Sequence, residues 1–221
     1  MVTSDEASRG RPTDPRLDEA LIAAAIAVLG DQGFGGFTTS AVARRAGAST
    51  ASLYRRWTSK HALLADVATR IVEDEFGGLD AGSLPADLRS LLTRKQRLFD
   101  GPAGSALLSL MGQAAHDDEL RAILRERVYL AARGALESTL QRAVARGEVP
   151  GSLTPPELDL LALVAIGTGL ARSVFGEPDA RAGAGVPDSA TPAAAELVEL
   201  EVAVLLGLLV RPDRPPATSR H

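Results

Sequence analysis

The chain has 221 residues, of which 45% are hydrophobic, and carries a formal net charge of −4. A chain of this length and hydrophobic content can bury a sizeable core, so disorder throughout is excluded. It contains no cysteine, which excludes disulfide frameworks, cysteine-ligated metals and thiol catalysis and fits a cytoplasmic protein. The longest apolar runs, residues 160–171 and 202–210, are shorter than the roughly 18 to 20 residues that span a bilayer, so no membrane span is expected.

The composition predicts an all-α fold. Ala, Leu, Arg and Glu dominate, and no segment alternates apolar and polar residues as a half-buried strand does. Residues 1–15 are predicted to be a disordered arm. Gly30 and Gly33 are expected to end the first helix, and Ser49 or Thr50 is expected to cap the third. Apolar residues at helical spacing place these first helices over residues 17–29, 39–45 and 50–57.

Longer helices are predicted in the rest of the chain. Thr154, Pro155 and Glu157 predict a capping box with proline at the first helical position. Residues 176–190 are predicted to be a mobile loop and residues 212–221 a disordered tail. One predicted helix begins near Lys60. The others cover residues 86–99, 103–115, 119–146, 155–175 and 192–209.

The second and third helices are short and are joined by a tight turn containing Gly47. This is the arrangement that places the second helix of such a pair in a DNA major groove. At about 100° per residue, Leu53 and Trp57 fall on one face of the third helix. The other face is small, polar and cationic and suits approach to base edges and phosphates; it carries Ala51, Ser52, Arg55 and Arg56.

The charge distribution singles out the same segment. Residues 32–65 carry five cations and no carboxylate, which gives +5, while the segments before and after carry −3 and −6. A solvated helix surface more often mixes both signs. The overall −4 therefore hides a local basic patch, and that patch coincides with the helix-turn-helix spacing.

Residues 17–67 resemble the N-terminal domain of the TetR family of transcriptional regulators. The resemblance rests on several motifs, which together are highly specific: Gly33-Phe34, Phe37-Thr38-Thr39, the run from Ala43 to Ser49, Leu53-Tyr54, Trp57-Thr58-Ser59-Lys60 and Ala62-Leu63-Leu64. It implies a three-helix DNA-binding head with a helix-turn-helix over residues 16–62. It also implies a larger helical body for ligand binding and dimerisation over residues 63–211.

Residue by residue, the resemblance implies phosphate contacts for the Thr39 hydroxyl, the Tyr54 hydroxyl and the Lys60 ammonium. Arg55 or Arg56 would then be able to read a guanine through two hydrogen bonds. The full set of expected DNA-binding residues is Thr39, Ser49, Thr50, Ala51, Ser52, Tyr54, Arg55, Arg56 and Lys60.

The body is expected to dimerise and to bind a small molecule. Helices 155–175 and 192–209 are apolar around much of their circumference, so a four-helix interface between two chains is the hypothesis for burying them. Double-stranded operator DNA and a small lipophilic effector, which would release a repressor from that DNA, are the expected partners. Apolar residues of the middle helices are candidates for the effector pocket: Phe99, Leu107, Leu110, Met111, Tyr129 and Val164.

Other functions receive less support. Residues 116–119 (His-Asp-Asp-Glu) contain metal-ligand types, but neighbouring residues at a helix start cannot all face one ion, so no metal or cofactor is predicted. No catalytic set is recognisable, so an enzyme is not expected. The remaining alternatives are a non-specific architectural DNA-binding protein and a small-molecule binding module or enzyme that merely retains the fold.

Overall fold

A computed structural model describes residues 15–76, 80–149, 151, 153–176 and 192–209 of the chain. Every regular element in these ranges is a helix, as the sequence predicts. Residues 1–14 of the predicted arm, residues 177–190 of the predicted loop and the predicted tail, 212–221, lie outside the described residues.

The first three helices are α1 (Pro15–Gly36), α2 (Thr39–Arg45) and α3 (Thr50–Tyr54). The prediction that Gly30 and Gly33 end this helix is wrong for Gly30 and correct for Gly33, where φ is 67° and the helix is interrupted before a short segment continues to Gly36. Gly30 instead permits close packing, since the carbonyl oxygen of Pro102 lies 3.0 Å from where a Cβ on residue 30 would be. The expected end of α3 at residue 57 is also wrong, because the helix stops at Tyr54 and continues as a turn.

The remaining helices follow the predicted order, with one irregularity. The helix predicted over residues 119–146 is divided by a π-helical turn, and the capping box predicted at Thr154 is present. The helices are α4 (Lys60–Phe76), α5 (Leu84–Asp100), α6 (Pro102–Ala114), α7 (Asp118–Leu124), the π turn Arg125–Tyr129, α8 (Leu130–Ala145), α9 (Pro155–Phe175) and α10 (Pro192–Leu209).

The buried apolar side chains form two clusters. The first cluster is formed by α1, α2, α3, α4, α6, α7, the π turn and the carboxyl end of α5. The second cluster is formed by the rest of α5 with α8, α9 and α10. The expected boundary between head and body, residues 62 and 63, falls inside α4. Because α4 is continuous and the first cluster extends on both sides of this boundary, a shift of α4 in the body would be transmitted to the head.

Helix α9 departs from the expectation that no segment is long enough to span a membrane. It has 21 residues, its most apolar 18-residue stretch has a mean hydropathy of 1.7, and among the described residues it is the one helix that meets the length and composition of a span. The uncharged run, residues 160–171, is flanked by Asp159 and Arg172 and is short by itself. A membrane-spanning helix, however, can carry a charged residue near each end. Core helices of soluble proteins meet the same criterion. Since 28% of this apolar stretch is buried within the chain, its exposed side requires an explanation.

Candidate nucleic-acid interface

The turn between α2 and α3 is built by local hydrogen bonds. Thr38 caps α2, because its Oγ1 accepts from the backbone N–H of Ala41 at 3.1 Å. Ser49 caps α3 by accepting from the N–H of Ser52 at 3.1 Å. Between the caps Gly47 has φ +65°, a left-handed conformation that favours glycine. These contacts fix the angle at which α3 leaves α2.

The inward face of α3 is the one predicted. Leu53 is fully buried and Trp57 nearly so, and both belong to the first apolar cluster. The indole N–H of Trp57 donates to Oδ2 of Asp66 on α4 at 2.7 Å. This bond satisfies the buried indole donor and ties the turn after α3 to α4.

Tyr54 and Thr39 lie together on the surface. Tyr54 is 54% exposed, and its hydroxyl lies 3.1 Å from Oγ1 of Thr39, the first residue of α2. Thr38, one residue earlier, makes the cap hydrogen bond, so the Thr39 hydroxyl is not used for capping. The two hydroxyls therefore form one exposed hydrogen-bonding position at the start of α2.

Arg55 and Arg56 point in different directions, so the prediction that both face outward is wrong for Arg56. Arg55 is exposed, and its Nη2 donates to Oγ of Ser52 at 2.9 Å. Arg56 instead forms an ion pair with Asp18 on α1, and its side chain is 9% exposed. The reason is that residue 56 lies about 100° further round the helical turn that closes α3 than residue 55, and so it faces α1, where a carboxylate is available.

Lys60, the first residue of α4, lies over aromatic rings. Its ammonium is 3.9 Å from the ring centroid of Phe34 and 5.1 Å from that of Phe37. Burial lowers the pKa of Lys60 below its ordinary value, although the nearby carboxylate of Asp117 acts in the opposite direction. The cation is thus held in position at the amino end of α4 instead of extending freely into solvent.

The local charge of +5 is partly neutralised by the fold. Arg45 Nη1 lies 2.6 Å from Oδ2 of Asp31, and Arg56 is paired with Asp18; both carboxylates come from α1, outside the basic segment. Arg44 and Arg55 are exposed. Sequence arithmetic located the patch but missed these partners, because pairing between α1 and the later helices depends on how they pack.

Residues 116–119, which contain metal-ligand types, make contacts within the protein instead. Asp117 caps α7 by accepting from the N–H of Leu120 at 3.0 Å. His61 of α4 lies 3.0 Å from the Asp117 carboxylate and 3.4 Å from that of Glu119. These contacts join α4 to α7. Within the part of the chain that the structure describes, no cluster of three or more potential ligands suits a metal ion.

The candidate effector residues do not all lie together. Phe99, Leu107 and Leu110 are buried in the first cluster, and Met111 packs against it. Val164 packs against the second cluster. Tyr129 lies in the π turn, and its hydroxyl donates to Asp159 of α9 at 2.8 Å.

Comparison with known proteins agrees with this geometry. The sequence profile described as bacterial regulatory proteins, tetR family, matches residues 21–67. A second profile, tetracyclin repressor-like, C-terminal domain, matches residues 79–186. The first profile ends inside α4, and the second begins beyond it.

Characterised and uncharacterised regulators align with most of the chain. The transcriptional regulator AqdR of Rhodococcus erythropolis is 31% identical over 144 residues, covering 65% of this chain and 69% of AqdR. The regulator YdeS of Bacillus subtilis is 28% identical over 148 residues, covering 67% of this chain and 75% of YdeS. The DNA-binding transcriptional repressor TetR of Mycobacteroides abscessus is 30% identical over 132 residues, covering 58% and 68% of the two chains.

Solved structures share the fold. A TetR-family transcriptional regulator from Rhodococcus sp. superposes with a TM-score of 0.72 at 17% identity, covering 89% of this chain and all of that one. GusR of Salmonella enterica superposes with a TM-score of 0.66 at 16% identity, covering 92% and 99%. At these identities the superpositions establish the fold alone.

Proposed function

The chain belongs to the TetR family of bacterial transcriptional regulators, and from this premise we propose that it is a homodimeric repressor released from its operator by a small lipophilic effector. The family and the aligned relatives are transcriptional regulators and not enzymes. The observation that carries the proposal is the exposed face of α3, set by the caps at Thr38 and Ser49 and anchored by buried Leu53. A regulator of this kind acts in the cytoplasm.

The proposed DNA contacts follow from exposure and position. The paired hydroxyls of Thr39 and Tyr54, together with the Lys60 ammonium, are the proposed phosphate contacts at the amino ends of α2 and α4. Side chains along the amino-terminal part of α3 are proposed to face the groove, namely Ser49, Thr50, Ala51 and Ser52. Arg56, which was predicted from the sequence to be a DNA-binding residue, is not among the proposed contacts, because Asp18 holds it against α1.

Homodimerisation is proposed through the outward sides of α9 and α10. At about 100° per residue, the exposed large apolar residues of each helix fall within roughly 120° of one another and so line one side of it: Leu160, Leu163, Val174 and Phe175 on α9, and Leu197, Leu200, Val204 and Leu208 on α10. A monomer would leave this surface in water, whereas a second copy placed by a two-fold axis would cover it. The dimer, and not a bilayer, is thus the proposed explanation for the exposed side of α9.

The two-fold axis makes a prediction about the operator. Two α3 helices in successive major grooves are about 34 Å apart, so the operator is proposed to be a pseudo-palindrome with half-sites about one helical turn apart. A footprint on the DNA flanking the coding region is expected to be short and symmetric. Uniform protection of any DNA would favour the architectural alternative, and no binding even at low salt would overturn the proposal.

An effector is proposed to bind among the middle helices of the body. Phe99, Leu107, Leu110 and Met111 support this, because they bring apolar surface from α5 and α6 next to α1 and α4. Tyr129 and Val164 are proposed as further contacts nearer α9. A ligand that binds more tightly to a form with α4 in a different position would favour that form and so release the operator. The size of the effect is set by the ratio of the ligand's affinities for the two forms. A screen of small lipophilic compounds for operator release tests this, and a constitutive regulator would respond to none of them.

A further inference from the structure

We propose that Arg55 reads a guanine in each half-site of the operator and that Ser52 positions its guanidinium for this contact. The inference rests on the proposed operator-binding function and adds to it the residue and the base that set sequence preference. Four observations carry it: the direction of Arg55, its hydrogen bond, the separate engagement of Arg56 and the small neighbours of Arg55 on α3.

Arg55 extends from the side of α3 that faces away from the core. Leu53 and Trp57 are buried. The N–H of Trp57 donates to the carbonyl oxygen of Leu53 at 3.0 Å, so the turn after Tyr54 keeps helical spacing, and at about 100° per residue the mean direction of these two residues is opposite that of residue 55. Arg55 is exposed. When α3 enters a major groove with Leu53 towards the protein, the Arg55 side chain is therefore directed at the base edges.

The guanidinium is already oriented before DNA binds. Ser49 and Ser52 hydroxyls lie 2.9 Å apart, and Arg55 Nη2 donates to the Ser52 oxygen at 2.9 Å. A guanidinium has five N–H groups. One N–H on Nη2 is used by Ser52, which leaves the other on Nη2 and both on Nη1. These are sufficient for simultaneous bonds to guanine O6 and N7, the commonest specific arginine contact in DNA recognition.

Arg56 is not available for this task. Its Nε donates to Asp18 and its Nη1 donates to the backbone oxygen of Ser52 at 3.1 Å. Reading a base would require breaking the ion pair and leaving the Asp18 carboxylate without it. Arg56 is therefore a residue that holds α3 on α1.

The neighbours of Arg55 allow close approach to the groove floor. Thr50 and Ala51 are exposed and small, and they occupy the adjoining positions at the amino end of α3. A long side chain at either place would keep the helix away from the bases. Among the outward-facing residues of α3 and its closing turn, Arg55 is then the one with the reach and the donor pattern to select guanine.

The test compares the full-length Arg55→Ala and wild-type proteins on the footprinted operator and on a set of operator variants. In each variant one base pair is changed, and the same change is made at the symmetric position of the other half-site. Wild type is expected to lose about 5- to 150-fold in affinity for each G·C pair replaced, and this factor applies twice when the pair is replaced in both half-sites. Arg55→Ala is expected to bind the unchanged operator with a similar loss but to tolerate replacement of that pair with no further loss. Ser52→Ala is expected to weaken the preference at the same pair by a smaller factor.

Arg44→Ala is the matched control, since Arg44 is also exposed but lies on α2. It is expected to keep the preference for the G·C pair, and circular dichroism should show the helix content of all variants unchanged. An equal loss for Arg55→Ala on every operator variant would identify Arg55 as a phosphate contact and overturn the inference. A wild-type protein with no preferred sequence would instead overturn the proposed function itself, so the two failures are distinguishable.

Discussion

The guanidinium of Arg56, at the end of the turn that closes α3, is ion-paired with the carboxylate of Asp18 in the first turn of α1. This pair connects the start of α1 to the turn after α3 and so helps to set the tilt of α3 against α1. Because the Arg56 side chain is 9% exposed, loss of its partner would leave a largely desolvated cation. The orientation of the proposed DNA-facing surface therefore depends on Asp18, which precedes Arg56 by 38 positions.

Asp18→Ala is expected to lower the free energy of unfolding by about 1–3 kcal/mol, because a partly buried donor loses its acceptor. It should also weaken operator binding by the same factor on every operator variant, because it disturbs α3 as a whole. Urea unfolding and fluorescence anisotropy measure the two effects. Glu19→Ala, at the exposed neighbouring position, should change neither, and an altered base preference in Asp18→Ala would contradict this role.

Lys60 and Tyr54 are expected to differ in the salt dependence of binding. Lys60→Gln removes a cation from each protomer, so the slope of log K against log salt should become shallower by about 0.9 per phosphate, or about 2 for the dimer. Tyr54→Phe removes a neutral hydroxyl and should lower affinity with the slope unchanged. Titrations at several salt concentrations separate the two. Equal slopes for Lys60→Gln and wild type would show that the ammonium over Phe34 does not contact a phosphate.

The exposed apolar sides of α9 and α10 predict sensitivity of the dimer to charge. Leu163 and Leu200 are 57% and 58% exposed in the single chain. Glutamate at either position would be buried twice in a two-fold interface, and we expect a loss of about 3 kcal/mol or more, at least about 100-fold in the dimer Kd. Sedimentation equilibrium measures this. Ser138→Glu, on the exposed surface of α8, is the control and should leave the dimer intact.

Asp87 predicts a loss of stability at acid pH. Burial raises the pKa of this carboxyl, but the N–H of Ala81 and the guanidinium of Arg146, 2.9 Å away, outweigh it, so the pKa lies below its ordinary value. A depressed pKa stabilises the folded state above the ordinary carboxyl value of about 3.9, and this contribution is lost as the pH falls below it. Asp87→Asn should therefore be less stable than wild type at pH 7, with a difference that shrinks below about pH 4.

Urea unfolding between pH 3 and 7 checks this expectation. The control is Asp118→Asn, whose carboxylate side chain is 91% exposed in its pair with Arg121, and it should follow the wild-type profile closely. A constant difference between Asp87→Asn and wild type across the whole pH range would show that the charge of Asp87 does not contribute.

Gly169 predicts a packing constraint between α5 and α9. The ring of Phe99 occupies the place where a Cβ on residue 169 would lie, so Gly169→Ala must displace a buried aromatic ring. Overpacking of this kind costs about 1–3 kcal/mol, more than the helix propensity gained. Gly112→Ala, in α6 with open space around it, should instead be neutral or stabilising. Thermal unfolding distinguishes the two, and a stabilised Gly169→Ala would show that Phe99 moves without cost.

The helix order, the turn at Gly47 and the burial of Leu53 and Trp57 were all predictable from the sequence. Each depends on interactions within a few residues or on helical periodicity, and these are legible in a linear chain. The capping box at Thr154 belongs to the same class. The role of Gly30 was not predictable, because its packing against Pro102 joins residues far apart in the chain. The end of α3 was predicted three residues late, because the turn after Tyr54 keeps nearly helical spacing: the N–H of Trp57 still donates to the carbonyl oxygen of Leu53.

Periodicity, caps and motif spacing are encoded by neighbouring residues, so they were enough to identify the family, the helical architecture and the basic segment that carries the proposed DNA-facing surface. Which charges of that segment remain available depends on the fold. Asp18 and Asp31 reach Arg56 and Arg45 from α1, and Phe34 holds Lys60. Arg55 stays outward because residue 55 lies opposite the core. Long-range pairing of side chains depends on how helices pack, which no linear pattern specifies.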